Sequence, residues 1–73
     1  MKERIKELRI ALNLSQQQLA LLLDVPPMTI SKYERGVTQP NSETLTKIGE
    51  RLNVNLNWLL LGAGPMRLKQ IEK

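Results

Sequence analysis

The sequence contains neither cysteine nor histidine. Without cysteine the chain cannot form disulfide bonds, thiolate metal sites or thiol nucleophiles. Without histidine it lacks the most common general base and a common zinc ligand. Carboxylates remain, but a chain of 73 residues has little room for a catalytic cleft. We therefore predict that the protein is not an enzyme and that it carries no metal ion and no cofactor.

Aromatic residues and long apolar stretches are also scarce, with one tryptophan, one tyrosine and no phenylalanine. No apolar run approaches the roughly 20 residues that span a membrane. The charged start MKERIKELR has no apolar core of signal-peptide length. β-branched residues do not alternate over a useful length, which argues against strands in the body of the chain. The sequence therefore predicts a soluble, cytoplasmic, helical protein with no membrane partner.

Positive charge exceeds negative charge, with 11 Lys and Arg against 7 Asp and Glu and a formal net charge of +4. The isoelectric point is near 9.9. Such an excess attracts phosphate groups and favours a polyanionic partner. Many small domains are basic for solubility alone, so the charge by itself leaves both interpretations open. The length allows one domain with a small core.

Helix signals begin in the first third of the chain. The first helix has apolar residues at i, i+3 and i+7, which are Ile5, Leu8 and Leu12. Ser15 and Gln18 form a capping box ahead of an apolar run. They predict a second helix over 16–23, which ends at Asp24 because aspartate tolerates the left-handed conformation of a helix end.

Two adjacent prolines stand where a third helix is expected. Pro27 at a first helical position loses no hydrogen bond, and the fixed φ of proline already suits a helix. Ile30 and Tyr33 follow at helical spacing, and Gly36 ends the element. Pro26 and Pro27 therefore begin this helix and do not break it.

Two further helices follow in the second half of the chain. The fourth helix is predicted to begin after a cap at Asn41 or Ser42 and to end at Asn53. The fifth is predicted to begin after a cap at Asn55 and to end at Gly62. Gly49 inside the fourth helix costs up to about 1 kcal/mol in helix propensity. We therefore expect a close helix contact there, where a side chain would not fit. Residues 63–73 form a tail. Apolar and basic residues alternate at 66–69, which allows an added strand; the alternative is a loose basic segment.

A specific resemblance is carried by two stretches, LSQQQLALLLDVPPMTISKYERG and PNSETLTKIGERLNVNLNWLLLG. They resemble the phage repressor and Cro-type helix-turn-helix family, also called XRE or lambda-repressor-like, over roughly residues 4–62. The resemblance implies an all-α, compact five-helix domain in residues 1–62 and a tail in 63–73 that is flexible or associated with a dimer. It further implies that the third helix enters the major groove of double-stranded DNA while the second lies across the backbone.

The sequence departs from the family pattern at two places. Asp24 stands in the turn before the recognition helix, where glycine is usual. Pro27 and Met28 form the tip of that helix, where polar residues are common. The first departure puts slight strain on the turn, and the second puts the usual hydrogen-bonded recognition of bases in doubt.

Four residues of the recognition helix take the base-contacting positions that the resemblance implies: Pro27, Met28, Ser31 and Lys32. A period of 3.6 residues independently groups the last three on one helix face. Lysine can donate to the O6 and N7 atoms of guanine, while methionine and proline can rest against a thymine methyl group. The alternatives are packing on a neighbouring loop for Met28, a phosphate contact or solvation for Lys32, and helix initiation alone for Pro27.

A second set of residues matches positions where the family contacts phosphates: Ser15, Gln16, Arg35, Thr38, Gln39 and Asn41. The start of the second helix presents free amides and the positive end of the helix dipole, which suits a phosphate. The alternative is that Ser15 only caps the helix and Gln16 faces solvent. Phosphate contacts of this kind fix register but carry no sequence information.

Arg9 lies within the apolar stripe of the first helix and therefore needs a partner, since an unpaired buried charge is costly. The resemblance pairs it with Glu34 in a structural ion pair that orients the recognition helix. The resemblance also implies dimerisation through four residues: Val54, Asn55, Leu56 and Asn57. We assign Trp58 to the core or to the edge of a subunit interface.

The resemblance implies a sequence-specific DNA-binding transcriptional regulator, and a Cro-like phage repressor fits best. It would bind a palindromic operator as a homodimer, at least on DNA, in a bacterial or phage-infected cell. We expect no small-molecule ligand, because the chain leaves no length for a sensing domain. Antitoxins and restriction-controller proteins are alternatives within the family. A helix-turn-helix module that binds protein and does not read DNA is another; the apolar tip favours it, and the net positive charge argues against it.

Overall fold

Five helices make up the computed structural model, which describes residues 1–67. They are α1 (Lys2–Ala11), α2 (Gln16–Leu23), α3 (Pro27–Arg35), α4 (Ser42–Leu52) and α5 (Leu56–Leu61). Within the described residues β-pairing is limited to one antiparallel bridge between Val54 and Arg67. None of the helices in this part of the chain is long and apolar enough to cross a membrane. The prediction of an all-α, five-helix domain is confirmed.

The start and end of α2 follow the predicted local signals. The Ser15 hydroxyl accepts a hydrogen bond from the Gln18 amide at 3.0 Å. The Ser15 amide donates to the Gln18 side chain at 2.8 Å, which completes the capping box. Asp24 ends the helix in the left-handed conformation, with φ 58° and ψ 43°. These interactions join residues at most three apart, so the sequence alone was sufficient to predict them.

The other boundaries also lie close to the predicted residues. Pro26 precedes α3 in an extended conformation, and Pro27 is its first helical residue. Of the two candidate caps for α4, Asn41 takes the role, because its side chain accepts from the Thr44 amide at 2.9 Å. The first helix ends one residue earlier than its apolar stripe, with Leu12 as the residue after it.

The core lies where the five helices converge. Its most fully buried large side chains are Leu8, Leu19, Leu23, Ile30, Ile48, Val54 and Leu59. Trp58 is 9 % exposed and belongs to this core. Ile30 and Tyr33 hold α3 to the core by one face, and the opposite face of that helix stays at the surface.

The turn between α2 and α3 is linked to α4 through the aspartate that replaces the usual glycine. Arg51 donates to the Asp24 carboxylate at 2.9 Å and to the Leu22 carbonyl at 2.7 Å. Lys47 lies 3.4 Å from the same carboxylate. The hydrogen bonds from Arg51 and then Lys47 lower the pKa of Asp24. The side chain therefore gains partners in α4 that glycine would not have.

Gly49 in α4 has more space than its sequence context suggested. A Cβ atom added there would lie 3.5 Å from Leu56 Cδ1, an ordinary van der Waals contact. The expectation that a side chain would not fit is therefore wrong. Gly49→Ala is expected to raise the free energy of unfolding by about 0.5–1 kcal/mol, because alanine favours helix and restricts the unfolded chain.

Urea denaturation of the Gly49→Ala variant would measure this gain. Gly36→Ala is the opposing control, because Gly36 has a φ of +78° and an added Cβ would lie 2.8 Å from Lys2 Cδ. That variant should be less stable than the wild type. A loss of stability in Gly49→Ala would show that α4 and α5 cannot accommodate even a methyl group.

Residues 63–67 fold back along the linker between α4 and α5. The backbone N–H of Asn55 donates to the Met66 carbonyl at 2.9 Å. The Asn55 side chain donates to the Pro65 carbonyl at 3.0 Å, and Met66 packs against the core. The predicted strand at 66–69 is represented by the single bridge at Arg67, and residues 68–73 lie outside the described residues.

Candidate functional site

An ion pair connects α1 to the end of α3. Arg9 Nε lies 2.6 Å from Glu34 Oε2, and Arg9 Nη2 donates to Glu34 Oε1 at 3.2 Å. Arg9 also donates to the Leu14 carbonyl at 3.0 Å, in the connection before α2. The two side chains are only 15 % and 6 % exposed. The structure thus joins the two residues through a bidentate contact in a largely desolvated position.

Gln16 joins the same network, which was not expected from the sequence. Its side-chain nitrogen donates to Glu34 Oε1 at 3.1 Å, so Gln16 does not simply face solvent. Burial raises the pKa of Glu34, but the hydrogen bonds from Arg9 and Gln16 outweigh burial and the net pKa is lowered. The same pairing raises the pKa of Arg9. Both groups are therefore charged at neutral pH.

The start of α2 has unused hydrogen-bond donors. The amides of Gln18 and Leu19 bond to Ser15. No such partner exists within residues 1–67 for the amides of Gln16 and Gln17, which begin the helix. Free amides at the positive end of a helix dipole form a favourable position for an anion. The contact from Gln16 to Glu34 places this position beside the end of α3.

The surface face of α3 carries the four residues proposed for base contacts. Pro27 and Met28 are exposed, and Met28 is 65 % exposed despite its apolar side chain. Ser31 and Lys32 are partly buried. Arg35 Nε donates to the Ser31 hydroxyl at 3.3 Å. The helix therefore presents an apolar tip at its start and cationic groups in its later turns.

The loop after α3 continues this surface. Thr38 and Gln39 are exposed, and so is Asn41. The Asn41 side-chain oxygen accepts the capping hydrogen bond of α4, so the side-chain NH₂ group remains for an outside partner. The loop and the starts of α2 and α3 together offer amides, hydroxyls and cations, which are groups that bind phosphate. No cluster of acidic residues within the described residues is arranged to hold a metal ion.

The four residues proposed for a dimer interface are mostly engaged within their own chain. Val54 is 1 % exposed, so its side chain is not available to a partner. Asn55 bonds to the returning segment, and Leu56 packs on Gly49, which leaves Asn57 exposed. Two apolar side chains of α5, Leu60 and Leu61, are 40 % and 76 % exposed. They were not identified as surface residues from the sequence.

Comparison with known proteins gives matches over most of the chain. The family model HTH_3, described as helix-turn-helix, matches residues 5–59. The transcriptional activator BcrR of Enterococcus faecalis is 39 % identical over 70 residues, which cover 96 % of this chain and 34 % of BcrR. Repressor protein C2 of Salmonella phage P22 is 36 % identical over 62 residues, which cover 85 % of this chain and 29 % of that protein. The chain therefore spans about a third of each of these relatives.

A solved structure is similar in fold and in sequence. It is the crystal structure of the P22 c2 repressor protein in complex with a synthetic operator. The two structures superpose with a TM-score of 0.78 and share 34 % sequence identity. The match covers 85 % of this chain and 94 % of that chain.

Proposed function

Because the chain belongs to the HTH_3 helix-turn-helix family, we propose that it is a sequence-specific DNA-binding regulator of transcription. The observation that carries this proposal is the similarity of the whole five-helix unit to a repressor solved with its operator. Among its possible roles we favour a Cro-like repressor, in which residues 1–62 bind the operator. The relatives include a protein named as an activator and one named as a repressor. Repression, as opposed to activation, is therefore proposed here and is not given by the relatives.

We propose that α3 lies in the major groove and presents its exposed face to the base pairs. Lys32 would donate to guanine, whose O6 and N7 accept hydrogen bonds there. Pro27 and Met28 would contact thymine methyl groups, since these side chains are exposed and have no polar atom to offer a base edge. The tip would then distinguish thymine from cytosine by an apolar contact. Ser31 lies between these two groups on the same face.

Phosphates on either side of the groove would be bound by polar groups at the helix ends. The free amides at the start of α2 support one such contact, with Ser15 and Gln16 beside it. Arg35 and the loop residues Thr38, Gln39 and Asn41 would supply the others. Contacts of this kind orient the domain and make its affinity depend on salt.

We propose further that two copies bind a palindromic operator, because α3 alone covers only a few base pairs. In dimers of this kind the two recognition helices lie one DNA turn apart, about 34 Å. The exposed Leu60 and Leu61 give α5 an apolar surface that supports association there, and the exposed Asn57 adds a polar group on the same helix. The tail in residues 63–73 would contribute to the same region, since its first part already packs beside α5.

Antitoxins and restriction-controller proteins remain alternatives that use the same DNA-binding surface. A protein-binding module that does not read DNA is a different class, and the 65 % exposure of Met28 is the observation that favours it. Net positive charge and the free amides of α2 argue for DNA.

Selection of bound sequences from a random duplex pool, at about 0.15 M salt, would test the proposal. We expect a palindromic motif whose half-site centres are about 10 base pairs apart. Recovery of no motif, with binding that only weakens as salt increases, would contradict sequence-specific recognition. It would instead indicate non-specific DNA binding or a protein partner for the apolar tip.

A further inference from the structure

A second polar surface lies beside the C-terminal end of α3, away from the apolar tip. It is an open cleft of about 340 Å³ between the start of α1 and the loop that follows α3. Lys2, Tyr33, Thr38 and Gln39 are among its lining residues. Thr38 and Gln39 are also among the proposed phosphate contacts, so the cleft is continuous with that surface.

Tyr33 gives the cleft an unused hydrogen-bonding group. Its side chain is 94 % buried, since its exposure is 6 %. Among residues 1–67 its hydroxyl has no hydrogen-bond partner. No fully buried side-chain oxygen or nitrogen in this part of the chain lacks a partner, so the hydroxyl must reach solvent, and the cleft is the surface that Tyr33 lines. A buried ring with a free hydroxyl at a cleft is well placed to donate to a ligand.

Lys2 brings a positive charge to the same place. Its side chain passes over Gly36, where an added Cβ would lie 2.8 Å from Lys2 Cδ and 3.7 Å from Lys2 Nζ. The absence of a side chain at Gly36 therefore lets the ammonium group lie against the end of α3. Glu3 also lines the cleft, and its carboxylate opposes an anion there. Ammonium and hydroxyl groups are both donors to phosphate oxygens, so Lys2 and Tyr33 give the cleft the chemistry of a phosphate site.

We propose that this cleft binds a DNA backbone phosphate, with Lys2 and the Tyr33 hydroxyl as its donors. The inference rests on the proposed DNA-binding function and extends its surface to α1. The nine residues of α3 at 1.5 Å each span about 13 Å. The major groove is about 12 Å wide. A helix of this length can reach from base edges at its tip to the backbone that borders the groove at its other end.

The test is the salt dependence of binding to the selected operator for Lys2→Gln and Tyr33→Phe. Lys2→Gln should lower affinity and reduce the slope of log K against log salt by about 0.9, the contribution of one phosphate. Tyr33→Phe keeps the ring in the core and should lower affinity about two- to tenfold, the effect of one hydrogen bond. Glu3→Gln should act in the opposite direction and tighten binding.

Lys47→Gln is the matched control, because it removes the same charge from α4, where Lys47 pairs with Asp24 and Glu43 and does not line the cleft. A methylphosphonate scan of the operator would add a second readout. One neutral linkage should weaken the wild type more than it weakens Lys2→Gln, which keeps only the Tyr33 donor at that phosphate.

If the wild type binds its operator but Lys2→Gln and Lys47→Gln have equal slopes, the cleft is not a phosphate site and Lys2 only stabilises the end of α3. If Tyr33→Phe binds like the wild type, the hydroxyl is not a donor and the proposed site is also wrong. Failure of the wild type to bind any duplex would overturn the proposed function itself, and with it this inference. Binding of inorganic phosphate to the free protein, without any effect of Lys2→Gln on DNA, would identify a site for small anions and reject the backbone contact.

Discussion

Replacing Glu34 with alanine is expected to lower the free energy of unfolding by about 3 kcal/mol. Removal of one partner of a buried ion pair typically costs about 3–5 kcal/mol, because the remaining charge is left desolvated and unpaired. Arg9 would lose both of its contacts to the carboxylate and keep only the Leu14 carbonyl. We take the lower end of the range because Arg9 retains 15 % exposure.

For a chain of 73 residues the total stability is about 4–11 kcal/mol, so this loss is a large fraction of it. Thermal unfolding followed by circular dichroism would show a decrease in Tm of about 12–24 °C, at about 4–8 °C per kcal/mol. Glu43→Ala is the matched control, since Glu43 lies 3.8 Å from Lys47 and is 78 % exposed. Surface pairs of that kind contribute about 0–1 kcal/mol. Equal effects of the two substitutions would show that the Arg9 pair contributes no more than a surface pair.

The lowered pKa of Glu34 adds a pH dependence to the same prediction. Burial raises this pKa, but the hydrogen bonds from Arg9 and Gln16 lower it below its ordinary value of 4.5. The unfolded state therefore binds the proton more readily, and the pair contributes fully above pH 4.5. Its contribution is lost as the pH falls below that value and through the pKa of the folded state.

Urea unfolding between neutral pH and acid pH would measure this effect in the wild type and in Glu34→Gln. The wild type should lose stability more steeply than the variant below pH 4.5, because Glu34→Gln has no carboxylate at position 34 that could take up a proton. Asp24, whose pKa is lowered mainly by Arg51, is present in both proteins, so the difference between the two curves isolates Glu34. Parallel curves would mean that the folded state does not shift this group.

Replacing Lys32 with alanine is expected to weaken binding to the selected operator by about 1–3 kcal/mol, or about 5- to 150-fold. Lys32 lies one turn after the apolar tip on the surface face of α3, where it is partly buried. We propose that it donates the hydrogen bond that identifies a guanine. Selection with the variant should therefore return a motif in which one G·C position per half-site has relaxed, while the other positions keep their preference.

The alternative for Lys32 is a phosphate contact, and the same experiment separates the two. Loss of a phosphate contact would weaken binding to all sequences alike and reduce the salt slope by about 0.9. Lys47→Ala provides the control for loss of charge, because that residue lies in α4 and pairs with Asp24. An unchanged motif after Lys32→Ala would contradict base recognition by this side chain.

The dependable predictions from the sequence concern interactions between near neighbours in the chain. The capping box of Ser15 with Gln18 and the left-handed residues Asp24 and Asn53 all follow from residue types and their spacing. Each depends mainly on backbone geometry within one helical turn, so distant residues have little influence on it. The periodicity of apolar residues likewise identified the face of α3 that packs on the core, which left the opposite face for a partner.

The family resemblance contributed what local patterns cannot. Apolar periodicity indicated that Arg9 needs a partner, but it could not say which of seven acidic residues would meet it. The resemblance named Glu34, which is 25 positions away in the chain. It also identified the recognition surface, although Pro27 and Met28 differ in chemistry from the residues usual there.

What the sequence determined by itself was the number of helices, the capping box of α2 and the surface face of α3, because these depend on contacts within a few residues. Only the tertiary structure decided which side chains meet across the fold. It brings Arg51 to Asp24, Gln16 to Glu34 and Lys2 to Gly36. It also leaves Leu61 exposed at the surface of α5. The physical reason is that burial and pairing depend on how the helices cross, and many distant residues together determine that geometry.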